Sequence, residues 1–83
     1  MKFKAEIDVM PLEELLDPQG KVVQGNLDKL GITHVGKVRI GKHIRLELEA
    51  DSEAEATEKV EAACKKFLAN LIMENYAFTI HKS

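Results

Sequence analysis

Lys2-Phe3-Lys4-Ala5-Glu6-Ile7-Asp8-Val9-Met10, residues 2–10, alternates without a break. Phe3, Ala5, Ile7 and Val9 fall on one side; Lys2, Lys4, Glu6 and Asp8 fall on the other. Period two with one charged face predicts a half-buried strand of an antiparallel sheet. Pro11 ends it, because proline has no N–H to give to a ladder. The rest of the chain can then be read as what pairs with this strand and what covers its apolar side.

Leu12 to Leu16 form a short connection with room for a helical turn. Asp17-Pro18 predicts a helix start: the carboxylate caps free backbone N–H groups, and proline suits the first helical position. Val23, Leu27 and Leu30 follow at i, i+4 and i+7 as one apolar stripe, and Gly31 stands where a left-handed cap is needed. Gly20 and Gly25 each cost this helix about 1 kcal/mol relative to alanine. Either something packs closely against them or the stripe alone anchors the helix. Val35–Ile40 and His43–Ala50 predict a second strand pair, folded as a tight hairpin around Gly41-Lys42. Ser52-Glu53-Ala54-Glu55 is a capping box, serine followed three residues later by glutamate. The helix it opens runs to about Ala69, with Ala56, Val60, Cys64 and Phe67 on one face and Asn70 as its cap. Glu55–Lys59 and Glu61–Lys65 are favourable i, i+4 pairs. Tyr76, Phe78 and Ile80 alternate with Ala77, Thr79 and His81 in a last strand.

The order β-α-β-β-α-β predicts an α+β, ferredoxin-like fold. Its four-stranded antiparallel sheet would carry two helices on one face. No linker or repeat divides the chain, so residues 1–83 read as a single domain. The uncovered sheet face is a natural place for a second copy.

A domain of 83 residues buries only about two-thirds of the surface its unfolded chain exposes. Such chains gain stability from disulfides, metals or self-association. Cys64 is the one cysteine, so no internal bridge forms. His34, His43 and His81 lie far apart and make no zinc spacing. Self-association is the remaining route. The N-terminus leads straight into the alternating strand, not into a signal peptide, and no run approaches a membrane span. An unpaired thiol fits a reducing compartment, and the expected location is the cytoplasm. Twelve basic against 14 acidic residues, net charge −2, give no pull toward nucleic acid.

A convergent catalytic set is missing. Ser52 reads as a helix cap, Ser83 is terminal, and Cys64 lies on an apolar helix face as an inert thiol. The histidines read as surface residues, and Glu13-Glu14 as solvated charge. Gly36-x-x-x-x-Gly41-Lys42 lacks the following Ser or Thr and the helix that a phosphate loop requires. Lys37, Arg39, Lys42 and Arg45 concentrate positive charge on one hairpin. That suits a solvated edge or a contact with an acidic partner, and no aromatic residues interleave it as RNA binding would require.

Three motifs carry a family resemblance. Leu16-Asp17-Pro18-Gln19-Gly20-Lys21, followed by Leu27-x-x-Leu30-Gly31, is similar to the signature that opens the first helix of PurS proteins. Val38-Arg39-Ile40-Gly41-Lys42 resembles that family's V-R-x-G-K segment. Leu68-Ala69-Asn70, then Met73-Glu74 and Tyr76, is similar to its C-terminal motif. Two departures stand out: Leu71 occupies the place of a usual proline, and residues 10–15 lack a usual lysine-glycine pair. The resemblance implies the small, non-catalytic subunit of phosphoribosylformylglycinamidine (FGAM) synthase in purine biosynthesis. Such chains form homodimers, sometimes tetramers. They bridge a glutaminase subunit and an ATP-using synthetase subunit and assist ammonia transfer. No cofactor or metal is expected in this chain, since ATP and magnesium belong to the synthetase.

The resemblance and the exposed charges together nominate partner contacts at Asp17, Pro18, Gln19, Gly20, Arg39, Gly41, Lys42, Asn70, Glu74 and Tyr76. The structural readings beside them are a helix cap for Asp17 and Pro18, a turn for Gly41 and core filling for Tyr76. Arg39 and Lys42 are the stronger interface candidates, because exposed charge has little folding purpose. A dimeric ferredoxin-like module that senses a small ligand is the alternative.

Overall fold

The structure, a computed structural model, describes residues 1–13 and 15–83; the Glu13-Glu14 pair therefore falls partly outside the described residues. Strand β1 (Lys2–Pro11) is followed by helix α1 (Pro18–Lys29), strand β2 (Lys42–Glu49), helix α2 (Glu53–Ala63) and strand β3 (Glu74–Lys82). The sheet is antiparallel with the order β2-β1-β3. The opening alternation thus belongs to the central strand. Ile7 lies opposite Ile44 and Phe78, and Ala5 opposite Leu46 and Ile80. This register places one apolar row under α2, where Ala5, Ile7 and Val9 bury against Val60, Cys64 and Ala69. Phe3, Ala50 and Ala56 form a smaller adjoining cluster. The other sheet face is polar, as the charged half of the alternation requires.

Both helix starts form as their sequences demand. Asp17 Oδ1 accepts from Gly20 N–H at 3.0 Å, with Pro18 at the first helical position. Gly31, at φ 82°, closes α1: its N–H donates to Asp28 O and that of Ile32 to Leu27 O. These two bonds satisfy the last free carbonyls in the Schellman pattern. Ser52 Oγ accepts from Glu55 N–H at 3.2 Å, while Glu55 reaches back to Asp51 N–H. The Glu55–Lys59 and Glu61–Lys65 pairs form at 3.1 and 3.7 Å.

Three expectations are corrected. Residues 35–40 form no strand, so three strands are present among the described residues instead of four. No hairpin forms at Gly41, whose φ is not in the left-handed region. The chain runs straight into β2, and a Cβ on Gly41 would collide with Val9 O and Met10 Sδ. Glycine serves close approach here, not a turn.

Second, among the described residues α2 is the one helix that packs on the sheet with more than marginal contact. α1 forms no substantial packing with any strand or with α2, and Val22, Val23, Leu30 and Ile32 stay exposed. The molecule measures 51 × 27 × 14 Å with a radius of gyration of 16.4 Å. A compact chain of this length would have about 12 Å. α1 and its flanking segments form an arm, because α2 already occupies the apolar sheet face and the other face is charged.

Third, Phe67 is not in the core but 84% exposed. α2 widens into a π-turn over Cys64–Leu68, where Ala69 N–H donates to Cys64 O. The extra residue in that turn leaves Leu68 packed against the core and rotates Phe67 outward. Cys64 is buried and free, as its place on the apolar face predicts, and burial pushes its thiol pKa up.

Candidate functional site

A cleft of about 430 Å³ opens where the arm leaves the sheet. The β1 end, the first turn of α1, the start of β2 and the turn before β3 all contribute. Leu15, Leu16, Ile40 and Met73 supply much of its apolar lining, and Gln19, Lys42, Asn70 and Glu74 its polar edge.

Asp17 organises the cleft. One carboxylate oxygen caps α1 through Gly20 N–H; the other accepts from Ile40 N–H at 2.8 Å. These backbone donors, that of Ile40 foremost, hold its carboxyl below the usual range. One side chain thereby ties the arm's helix to the segment entering β2. Gly20 completes the joint: it is buried, and an added Cβ would strike Val38 O. The aspartate and the glycine of the first motif are explained by this junction.

Arg39 is only 14% exposed. It pairs with Glu13 Oε1 at 2.8 Å and donates to Pro11 O, while Lys37 Nζ donates to Glu13 O at 3.2 Å. Residues 37–39 thus run beside the loop after β1, held by side chains instead of a ladder. Arg39 braces that loop and is not an exposed charge. Lys42 is exposed and lines the cleft.

The third segment is a turn. Met73 N–H donates to Asn70 O at 2.9 Å, Ile72 N–H to Asn70 Oδ1 at 3.2 Å, and Asn70 N–H to Glu74 Oε1 at 2.8 Å. Leu71 occupies the second position of this four-residue turn, where proline is favoured. Leu12 N–H donates to Met73 O at 2.9 Å and joins the turn to the loop after β1.

Asp17, Pro18, Gln19, Gly41, Lys42, Asn70 and Glu74, drawn from three separate motifs, line this one cleft. Gly20 is buried at the arm junction, and Arg39 braces the adjacent loop. Tyr76 lies under α2 instead, donating to Glu61 Oε1 at 2.6 Å and stacking on Phe78 at 6.3 Å. That bond to a carboxylate pushes its pKa up to about 12. Leu16, Ile40 and Met73 stand in the quoted motifs without being nominated residue by residue, and Leu15 is the apolar lining residue that no motif marks. Among the described residues no group of His, Cys, Asp and Glu is placed to hold a metal, and no helix is long and apolar enough to cross a membrane.

Residues 4–82 match the PurS family, described as phosphoribosylformylglycinamidine (FGAM) synthase. The chain belongs to this family. A PurS subunit from Synechocystis is 48% identical over 94% of this chain and 78% of that protein. One from Bacillus subtilis is 35% identical over 96% and 94% respectively. Among solved structures, a chain of the Thermotoga maritima PurLQS structure has a TM-score of 0.90 at 34% identity, covering 98% of this chain and 99% of that one. Thermus thermophilus PurS has a TM-score of 0.89 at 34% identity, covering 100% and 99%. PurS membership does not favour the ligand-sensing alternative.

Proposed function

We propose that this chain is the small, non-catalytic subunit of FGAM synthase in de novo purine biosynthesis, acting in the cytoplasm as one unit spanning residues 1–83. It bridges a glutaminase and a synthetase subunit and assists ammonia transfer between them. ATP and magnesium act on the synthetase. The observation that carries this reading is the likeness along nearly the whole chain to a chain of the PurLQS assembly. Ammonia must pass between active sites without protonation or escape, and excluding water is work for packed surfaces, not for a nucleophile.

Self-association is part of the reading. α1 carries an exposed apolar stripe that a single chain leaves uncovered, and the outer edge of β2 is open where the fourth strand was expected. Two copies exchanging arms would cover the stripe and seat residues 35–40 at that edge, completing a four-stranded, ferredoxin-like sheet in each half. An open edge eight residues long is otherwise a liability.

The test is reconstitution. Synthetase and glutaminase subunits from the same organism are assayed with and without this protein, using glutamine and then ammonia as nitrogen donor. Glutamine-dependent synthesis that needs this chain, beside ammonia-dependent synthesis that does not, supports the role. Unchanged glutamine-dependent turnover and no complex would sink it.

A further inference from the structure

The outer face of the sheet carries its charges in an order that water does not require. Along β1, Lys2 and Lys4 are followed by Glu6 and Asp8. Opposite them on β2 stand Glu49 and Glu47, then Arg45 and His43, the last positive when protonated. Pairing within the chain explains why the two strands carry opposite signs in each row. It does not explain why the sign reverses halfway along each strand, since an all-lysine strand beside an all-glutamate strand would pair as well. The two halves also differ in use. Glu6 pairs with Arg45 Nε at 2.7 Å, and Asp8 with His43 Nδ1 at 2.6 Å. Among the described residues Lys2, Lys4, Glu47 and Glu49 make no ion pair within 4.0 Å, although each has an opposite charge across from it in the register.

From this order we propose that the charged sheet face docks the same face of a second copy, strand over strand and antiparallel. The copies are related by a twofold axis that lies between the two sheets, perpendicular to the strands. That rotation sets Lys4 over Glu6 of the second copy and Lys2 over its Asp8, and each contact occurs twice. It also sets Glu47 over Arg45, which gives only its Nε to Glu6 and keeps its terminal guanidinium nitrogens for another acceptor. β3 adds no like-charge clash, because His81 and Thr79, in the rows of Lys4 and Glu6, come over each other. Stacked sheets lie about 10 Å apart, within reach of lysine, arginine and glutamate side chains from both sides. A charge pattern that is its own complement under a twofold calls for a second copy of this chain and not for a different protein. The surface is separate from the α1 stripe, so it adds a step to the arm exchange proposed above. Eight residues of strand and three strands make a face of roughly 27 Å by 14 Å. That is small beside the ~800 Å² that each partner buries in a standard interface. Stacking is therefore the weaker step, and it is sensitive to salt.

Sedimentation velocity of the full-length protein over a concentration series, at about 0.05 M and about 0.5 M salt, reads this step. Species above the arm-exchanged dimer form at low salt, and their association weakens by about tenfold or more at high salt. The double variant Lys4→Glu with Glu47→Lys reverses one cross-strand pair. It keeps the net charge and the opposite signs within the chain, but sets like charges over Glu6 and Arg45 of the second copy. It should weaken the step by about tenfold or more at low salt. Adding Glu6→Lys and Arg45→Glu restores the complement and should bring the step back to within about threefold of wild type. Circular dichroism checks that both variants fold; if the fourfold variant does not, the double variant and the salt dependence decide. A wild type that never exceeds a dimer, with that dimer unchanged in the double variant, overturns the proposal and leaves arm exchange standing. So does a higher species that the double variant retains, or a loss that a folded fourfold variant does not recover. If the double variant reduces the dimer itself to monomers, the stacked face is the dimer interface, and arm exchange falls instead. A wild type that is monomeric at every concentration removes both.

Discussion

Gly20 and Gly25 sit five residues apart on α1 and read alike in the sequence, yet their surroundings differ. A Cβ at Gly20 meets Val38 O, which is backbone and cannot swing away; at Gly25 it meets nothing within 4 Å. Gly20→Ala is expected to destabilise by about 1–3 kcal/mol through overpacking. Gly25→Ala is expected to stabilise the isolated chain by up to about 1 kcal/mol through helix propensity. Urea unfolding of the two variants reads the difference, and equal effects would mean that Gly20 is not pressed against Val38. His43 gives a second residue-scale prediction. Its Nδ1 lies 2.6 Å from Asp8 Oδ1, and its Nε2 contacts Glu6, which also pairs with Arg45 at 2.7 Å. Only the imidazolium has an N–H for each carboxylate. The bond to Asp8 first, and then that to Glu6, raises the His43 pKa above 6.5. A raised folded pKa stabilises fully below the unfolded value and loses that contribution as pH rises through the folded one. The stability gap between wild type and His43→Gln should therefore shrink as pH climbs above 6.5, read by thermal midpoints. A gap that widens would contradict the bridge.

At the scale of elements, the π-turn decides what the end of α2 does. A regular helix would carry Phe67 on the face of Ala56, Val60 and Cys64; the wider turn sends it into solvent. Phe67→Ser should change the stability of the isolated chain by no more than about 0.5 kcal/mol. Val60→Ala, in the buried cluster, should cost roughly 2 kcal/mol. A Phe67→Ser cost of several kcal/mol in denaturant titration would put Phe67 back in the core. The turn at residues 70–73 makes a milder prediction. Proline suits the second position of such a turn and narrows the unfolded ensemble, so Leu71→Pro should stabilise by about 0.4–1 kcal/mol. Residues 35–40 show the limit of pattern reading for an element. Their residue types read as a strand, but side chains of Lys37 and Arg39 hold them against the loop after β1.

For the whole molecule, shape is the informative quantity. A 14 Å thickness is a single sheet-and-helix layer, and the 51 Å length is that layer plus an arm with its apolar side in water. Such a chain should unfold with a midpoint that rises with protein concentration, as mass action requires when association covers the arm. Replacing Val22 and Leu30 together by serine should abolish that dependence while leaving α2 and the sheet folded, read by circular dichroism across a dilution series. A midpoint independent of concentration in the wild type would rule out arm exchange.

The sequence by itself determined the central strand, both helix starts, the α1 cap, the buried thiol and the family, because each rests on local period, capping chemistry or an ordered motif. Phe3, Ala5, Ile7 and Val9 have no other consistent reading, and neither do Asp17 and Ser52 at their helix starts. Only the tertiary structure decided that Gly41 is pressed against Val9 instead of turning the chain, that Arg39 is a brace, and that Phe67 faces water. It also decided that residues of three distant motifs line one cleft. These outcomes depend on which backbone approaches which side chain from far along the chain. A pattern of residue types fixes the period of an element but not its neighbours.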